Sequence, residues 1–203
     1  MKRTKVLIYD NSQKTSIEAY LVEDVPLEMI AQANAKWISF RQQHQDRCRQ
    51  RGLTYPEHSH WNWEDKAERS EMSSGVQIRF GILCQDEIQG LMLVEQMTEF
   101  AKLPPDEGKP LVYVRYLEAA PQNIEAYTNP RKFLGVGRLF LRVAIDFSVE
   151  IGCKGRVGLH ALPQAEEFYR ANGMMELGRD PAHENLRYFE FTSTLAQEYQ
   201  NRK

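Results

Sequence analysis

Lys132-Phe133-Leu134-Gly135-Val136-Gly137-Arg138 is the stretch on which the reading of this chain turns. Before it, Leu111 to Ala120 is apolar on both parities, as in a strand covered on both faces, and Pro121 ends the run. After it, Val136, Phe140, Val143, Ala144, Phe147 and Ile151 recur at helical spacing, with Arg138, Arg142, Asp146 and Glu150 opposite. A strand feeding a glycine turn that opens a helix leaves the first-turn amides without intrahelical acceptors, and the helix dipole favours negative charge there. A phosphate-bearing ligand is what such an end holds.

Nucleotide motifs fail on this stretch. A phosphate-binding Walker loop needs Gly-Lys-Ser/Thr to close the turn, and Gly137 is followed by Arg138-Leu139. A dinucleotide fingerprint needs a third glycine and an acidic residue at the end of the next strand, where this chain has Phe140 and the run Leu159 to Pro163.

Working outward, Gly152 is the stop of the amphipathic helix, and Arg156 to Leu162 returns as a strand. Pro163 then suits the first turn of a short helix on which Ala165, Phe168 and Tyr169 face one way, with Gly173 as its terminator. Met174 to Leu177 and Leu186 to Thr192 read as closing strands, and the segment from Ser193 to Lys203 as a fraying tail. Upstream, Val76, Ile78, Phe80 and Ile82 alternate with polar residues and glycine. A turn at Gln85-Asp86-Glu87 and a run from Ile88 to Met97 complete a hairpin. Val6 to Tyr9 and Ser16 to Val22 form an opening strand pair. Asp24 stands at an N-cap position, with Pro26 in the first turn of a helix that runs into the forties and stops at Gly52. With no repeat or linker in sight, 203 residues are expected to form a single α/β domain with a mixed sheet.

Other segments are less committal. The polar run from Arg41 to Arg51 reads either as a cationic rim or as a solvated helix end with cations near its C-terminal carbonyls. His58 and His60, two residues apart, suit neither one helix face nor a complete metal site, and Trp61 and Trp63 read as anchors that dock a loop. The balance of 26 basic to 28 acidic residues, a net charge of −2, gives no reason to expect nucleic acid or an anionic membrane as partner. Cys48, Cys84 and Cys153 are odd in number and in no metal-ligand spacing, as fits reduced thiols, so neither a disulfide nor a metal site is expected. The apolar run Val6 to Tyr9 is too short for a signal segment or a membrane span, and a cytoplasmic location is the expectation.

Two motifs at compatible separation resemble the GNAT acetyltransferase superfamily, most strongly from Leu111 to Leu177. Its acyl-CoA signature, Arg/Gln-x-x-Gly-x-Gly/Ala after a strand reading roughly Leu-x-Val-x-Pro, is similar to Leu117-Glu118-Ala119-Ala120-Pro121 and then Lys132 to Gly137. Its Ala-x-x-x-Tyr-x-x-x-Gly-Phe pattern is similar to Ala165 through Tyr169 to Gly173-Met174. This chain departs from the family in having Lys132 for Arg or Gln, Met174 for Phe, Leu162 for an Asn, and a long loop from Gln122 to Arg131. That loop reads either as part of an acceptor wall or as a surface insertion with Tyr127 packed beneath it.

The resemblance implies the GNAT fold, a mostly antiparallel mixed sheet flanked by helices, and acetyl-CoA as acyl donor to a primary amine of a small molecule or peptide. It implies that the pyrophosphate rests on the amides of Phe133, Leu134, Gly135, Val136, Gly137 and Arg138, with Lys132 and Arg138 as further cationic contacts. The strand edge at Leu117 and Ala119 pairs with the pantetheine amides. Attack on the thioester requires the amine to lose a proton, for which Glu118 is the first candidate base, Glu95 the second and His160 the third; Tyr169 is the donor to the departing thiolate. A GNAT-like domain that binds an acyl-CoA or other ligand without catalysis, as a sensor or interaction module, is the alternative. A homodimer is compatible with the sequence, which leaves acceptor and oligomeric state open.

Overall fold

Tight turns set the registers of the sheet. In the computed structural model, which describes residues 2–50, 52, 56–72 and 75–201 and leaves aside the side chains of 46, 47 and 97, Gln85 and Asp86 both take positive φ, 52° and 59°. Two successive left-handed residues are what a two-residue hairpin turn needs to match strand twist. They join β3 (Gln77–Cys84) to β4 (Glu87–Phe100). The other elements are β1 (Lys2–Asp10), β2 (Thr15–Glu23), α1 (Leu27–Gln50), α2 (Trp63–Glu71), β5 (Pro110–Ala119), β6 (Phe133–Leu134), α3 (Val136–Glu150), β7 (Val157–Ala161), α4 (Glu166–Ala171), β8 (Met175–Asp180), β9 (Leu186–Phe191) and α5 (Ser193–Asn201). Strands hydrogen-bond in the order β6-β1-β2-β3-β4-β5-β7-β9-β8, and of the described registers only β5 with β7 is parallel. The result is the expected α/β architecture, a large and mostly antiparallel sheet flanked by helices. No described helix is long and apolar enough to cross a membrane.

The chain divides into two compact units, Met1–Met92 with Leu117–Gly137, and Leu93–Tyr116 with Arg138–Lys203. In the first, β1 and β2 pair along their whole length, Lys2 with Glu23 to Asp10 with Thr15. Asp10 closes their loop by accepting the Ser12 and Gln13 amides at 2.8 and 3.1 Å. Helix α1 begins later than the Asp24 cap predicts. The Val25 amide is spent on the Arg79 carbonyl of β3 at 3.1 Å, so the chain is still tied to the sheet there. Asp24 takes a φ of 56°, and the Pro26 carbonyl accepts the first helical bond, from Ile30 at 3.1 Å. Proline at this point loses nothing, because its missing N–H has no intrahelical use. Gly52, with a φ of 62° and its amide on the Arg49 carbonyl, stops the helix as expected.

In the second unit, the α3 stripe of Phe140, Val143, Ala144 and Phe147 is buried, while Arg138, Arg142, Asp146 and Glu150 are exposed. Each fully buried Phe or Leu contributes about 1.5–3 kcal/mol. Gly152 ends α3 in a Schellman arrangement: its amide bonds Val149 at 3.1 Å and that of Cys153 bonds Ser148 at 2.7 Å. The segment expected to fray is instead α5 as far as Asn201. Asp106, in the β4–β5 loop, caps it by accepting the Ser193 amide and hydroxyl at 2.8 and 2.7 Å, a contact between residues 87 apart in sequence. Strand β5 pairs with β7 only at Val112 with Val157 and Tyr113 with Gly158; from Leu159 onward the described pairings of β7 are with β9.

Candidate active site

Asn123 connects the end of β5 to the glycine stretch. Its amide bonds the Ala120 carbonyl at 2.8 Å, its side-chain N–H groups donate to the Gln89 carbonyl and side chain at 3.1 and 3.2 Å, and its Oδ1 accepts the Phe133 amide at 3.0 Å. Phe133 and Leu134 form β6 against Asp10 and Tyr9 of β1. The Phe133 amide is therefore already committed and its ring is buried, which removes Phe133 from the set of amides open to a ligand. Gly135 follows with a φ of 87°, a backbone that a side chain would strain, and α3 starts at Val136. Val136, Gly137 and Arg138 are thus the first helical turn, whose amides have no intrahelical acceptors.

Lys132 does not extend freely into solvent. Its Nζ lies 4.9 Å from the centre of the Phe133 ring, and its side chain lines a cavity of about 320 Å³ with Lys36, Trp37 and Phe40 of α1. The loop from Gln122 to Arg131 is pinned at its base by the Lys132 amide on the Gln122 carbonyl at 3.0 Å. It is held further along by the Cys48 thiol on the Ala126 carbonyl at 3.1 Å, and Tyr127 is buried under it.

Leu117 and Ala119 are half-buried, whereas Glu118 between them faces the other side of the strand into a polar cluster. One oxygen of its carboxylate pairs closely with the Arg41 guanidinium of α1, and the other accepts the Trp63 indole N–H at 2.6 Å. His58 Nε2 stands 3.5 Å from the Arg41-bound oxygen. Arg41 also donates to the Trp61 and Ser59 carbonyls at 2.9 and 3.4 Å, so this one guanidinium ties α1, the 57–63 segment and β5 together. The Arg41 and Glu118 side chains are 3% and 1% exposed. Burial pushes the Glu118 carboxyl up to about 7 while Arg41 and Trp63 pull it back, and burial, with the Arg41 and His60 charges, holds His58 down at about 4.

The polar run that begins at Arg41 is accordingly no uniform cationic rim. Arg41 is buried and paired, His44 stacks on Phe40 at 4.0 Å, and Arg49 is exposed; Arg51 and the Arg47 side chain lie outside the described residues. Trp63 is a buried anchor as expected, yet it also binds the first candidate base. The sequence offered no signal for the Arg41–Glu118 pair, since 77 positions separate its partners.

Tyr169 belongs to the second unit and Glu118 to the first. α4 ends in a second Schellman arrangement, with the Gly173 amide on Arg170 at 2.9 Å, the Met174 amide on Tyr169 at 3.1 Å, and Gly173 at a φ of 87°. This fixes the Tyr169 backbone, and its ring packs against Phe189 and Phe168, 5.6 and 5.2 Å between centres. Burial pushes its phenol well above the usual tyrosine range, so the proton stays on oxygen. Glu95 lies 3.6 Å from Arg115 and accepts the Thr98 hydroxyl at 3.2 Å. The His160 imidazole is held between the Tyr113 hydroxyl at 2.7 Å and Asp180 at 3.2 Å, with burial and the neighbouring His183 holding it down at about 4.

No protein-family model matches the sequence, and no curated protein matches it. Solved structures match in fold. A GNAT-family protein from Desulfovibrio desulfuricans is 12% identical and superposes with a TM-score of 0.52 over 86% of this chain and 99% of that one. The GNAT domain of S. lividans PAT, also 12% identical, gives 0.52 over 93% and 96%. The chain has the fold of the GNAT acetyltransferases.

Proposed function

We propose that this protein is an acyl-CoA-dependent N-acyltransferase that moves an acetyl group from acetyl-CoA to a primary amine of a small molecule or peptide. The observation that carries the reading is the GNAT fold with α3 opening directly out of the glycine turn at Gly135. The pyrophosphate sits on the amides of Gly135 to Arg138, where the first turn and helix dipole favour negative charge, and Lys132 and Arg138 add cationic field; Leu134 of β6 is paired with Tyr9 of β1. The pantetheine arm runs along β5 at Leu117 and Ala119, bonding main-chain groups.

The amine nitrogen attacks the thioester carbonyl carbon, and the tetrahedral intermediate collapses with cleavage of the carbon–sulfur bond. The acceptor attacks as the neutral amine, its ammonium proton having gone to solvent; Tyr169 gives its phenolic proton to the departing sulfur, and the proton then lost by the nitrogen of the tetrahedral intermediate restores it. Glu118 serves this reaction as a positioning residue: with one oxygen on Arg41 and the other on Trp63, it holds α1 and the 57–63 segment on β5. Acceptor-dependent release of free thiol from acetyl-CoA across a panel of amines and peptides, with the acetylated product identified by mass, tests the activity. The sequestration of Glu118 favours a second reading, acyl-CoA binding without turnover. Binding with no thiol release for any acceptor distinguishes it.

A further inference from the structure

His160, Asp180 and His183 converge from three places in the second unit: strand β7, the end of β8, and the turn between β8 and β9. His160 Nε2 and His183 Nδ1 each lie 3.2 Å from the same atom, Asp180 Oδ2, and the two imidazoles stack with centres 3.9 Å apart and planes 12° from parallel. We propose that these three side chains form a binding site for a divalent transition ion of the zinc type, taking two imidazole nitrogens and one carboxylate oxygen, with water as the fourth ligand.

The spacing suits the ion. With metal–ligand bonds of about 2.0–2.1 Å, ligand atoms at the corners of a tetrahedron are about 3.3 Å apart. Two of the three edges here are 3.2 Å, and the third is within 4.8 Å. The third closes by rotation of His183, on a surface turn, which also takes its ring out of the stack with His160 so that both nitrogens point at one ion. A donor set of two nitrogens and one oxygen, without thiolate, selects zinc, cobalt or nickel over magnesium or calcium.

The surroundings orient each ligand from behind. The Tyr113 hydroxyl, 2.7 Å from His160 Nδ1, meets the ring nitrogen left over when Nε2 binds the metal, which is the position that fixes the tautomer of metal-ligating histidines. Asp180 Oδ1 accepts the Ala182 amide at 3.0 Å, which turns Oδ2 toward the imidazoles. Lys102 Nζ is the competitor, 3.2 Å from Asp180 Oδ2. Its side chain is 39% exposed, so it can swing away and give up that oxygen to a doubly charged ion. Bound metal would join β7 to the β8–β9 turn, which otherwise meet there through the hydrogen bonds to Asp180 and the imidazole stack.

The test is titration of the full-length protein with Co²⁺, read by visible absorption for tetrahedral coordination, and with Zn²⁺ by calorimetry and thermal unfolding. One ion per chain and a rise in Tm are expected. His183→Ala should weaken binding at least about tenfold, Tyr113→Phe about 10–100-fold, and Lys102→Met should tighten it about tenfold by removing the competing charge. His183 is on a surface turn, so its variant keeps the fold, checked by circular dichroism. Absence of a tetrahedral cobalt spectrum, or zinc binding that His183→Ala leaves unchanged, overturns the proposal.

Discussion

Removing either partner of the Arg41–Glu118 pair should be the costliest single polar change in the first unit. In Arg41→Met the alkyl volume is roughly kept, while Glu118 loses the cation on one oxygen, where His58 Nε2 remains 3.5 Å away, and keeps the Trp63 indole N–H at 2.6 Å on the other. With the two side chains 3% and 1% exposed, water does not take the place of the lost partner. Breaking a buried pair from one side costs about 3–5 kcal/mol, because an uncompensated charge remains. At pH 8 Glu118 is ionised in the wild-type protein, above its titration at about 7; without Arg41 burial pushes the carboxyl higher still, so the variant carboxyl takes up a proton more readily and the loss grows as pH rises. With a urea dependence of about 2 kcal/mol per molar, the midpoint falls by about 1.5–2.5 M. Trp63, inside the cluster, reports the transition by fluorescence. Glu118→Leu should fall comparably by stranding Arg41, and the double variant Arg41→Met/Glu118→Leu should recover most of the loss, since both charges are gone. A drop below about 0.5 M for Arg41→Met, or a double variant that falls by the sum of the singles, would refute the reasoning.

Three further changes follow from the geometry. Tyr169→Phe should lower turnover about 10²-fold or more with acetyl-CoA affinity kept, measured by thiol release beside calorimetry. Gly173→Ala, at a φ of 87°, should cost about 1–2 kcal/mol in urea unfolding without changing the circular dichroism spectrum. At Gly158 an added Cβ would stand 2.3 Å from the Tyr188 hydroxyl and 3.2 Å from Leu111, so Gly158→Ala should lose about 1–3 kcal/mol. Adding Tyr188→Phe should return part of that loss, because the nearest clashing atom is removed; no recovery would mean that the clash is relieved elsewhere.

What the sequence made legible was local. Alternation from Val76 to Ile82 with Gln85-Asp86 located the β3–β4 hairpin, because period and turn chemistry both act within a few residues. The same holds for the α3 stripe and for Gly152 and Gly173, whose positive φ values stop their helices. What stayed hidden depends on distant partners. Arg41 looked like one more cation on a polar helix end, and only folding brings it to Glu118. Asn123 looked like a loop residue, yet it withdraws the Phe133 amide from the ligand-facing set. The C-terminal segment looked unanchored because its cap, Asp106, lies 87 residues upstream.

The central claim is that an acyl-CoA seats its pyrophosphate on the first turn of α3. Calorimetric titration of acetyl-CoA into the wild-type protein and Gly137→Asp tests it. An acidic residue in a helix's first turn favours the helix itself, so this variant keeps its fold while opposing an anion. One acetyl-CoA per chain, with affinity at least about tenfold weaker in the variant, is the predicted result. No binding to the wild-type protein at millimolar acetyl-CoA, or equal binding by both, would contradict the account.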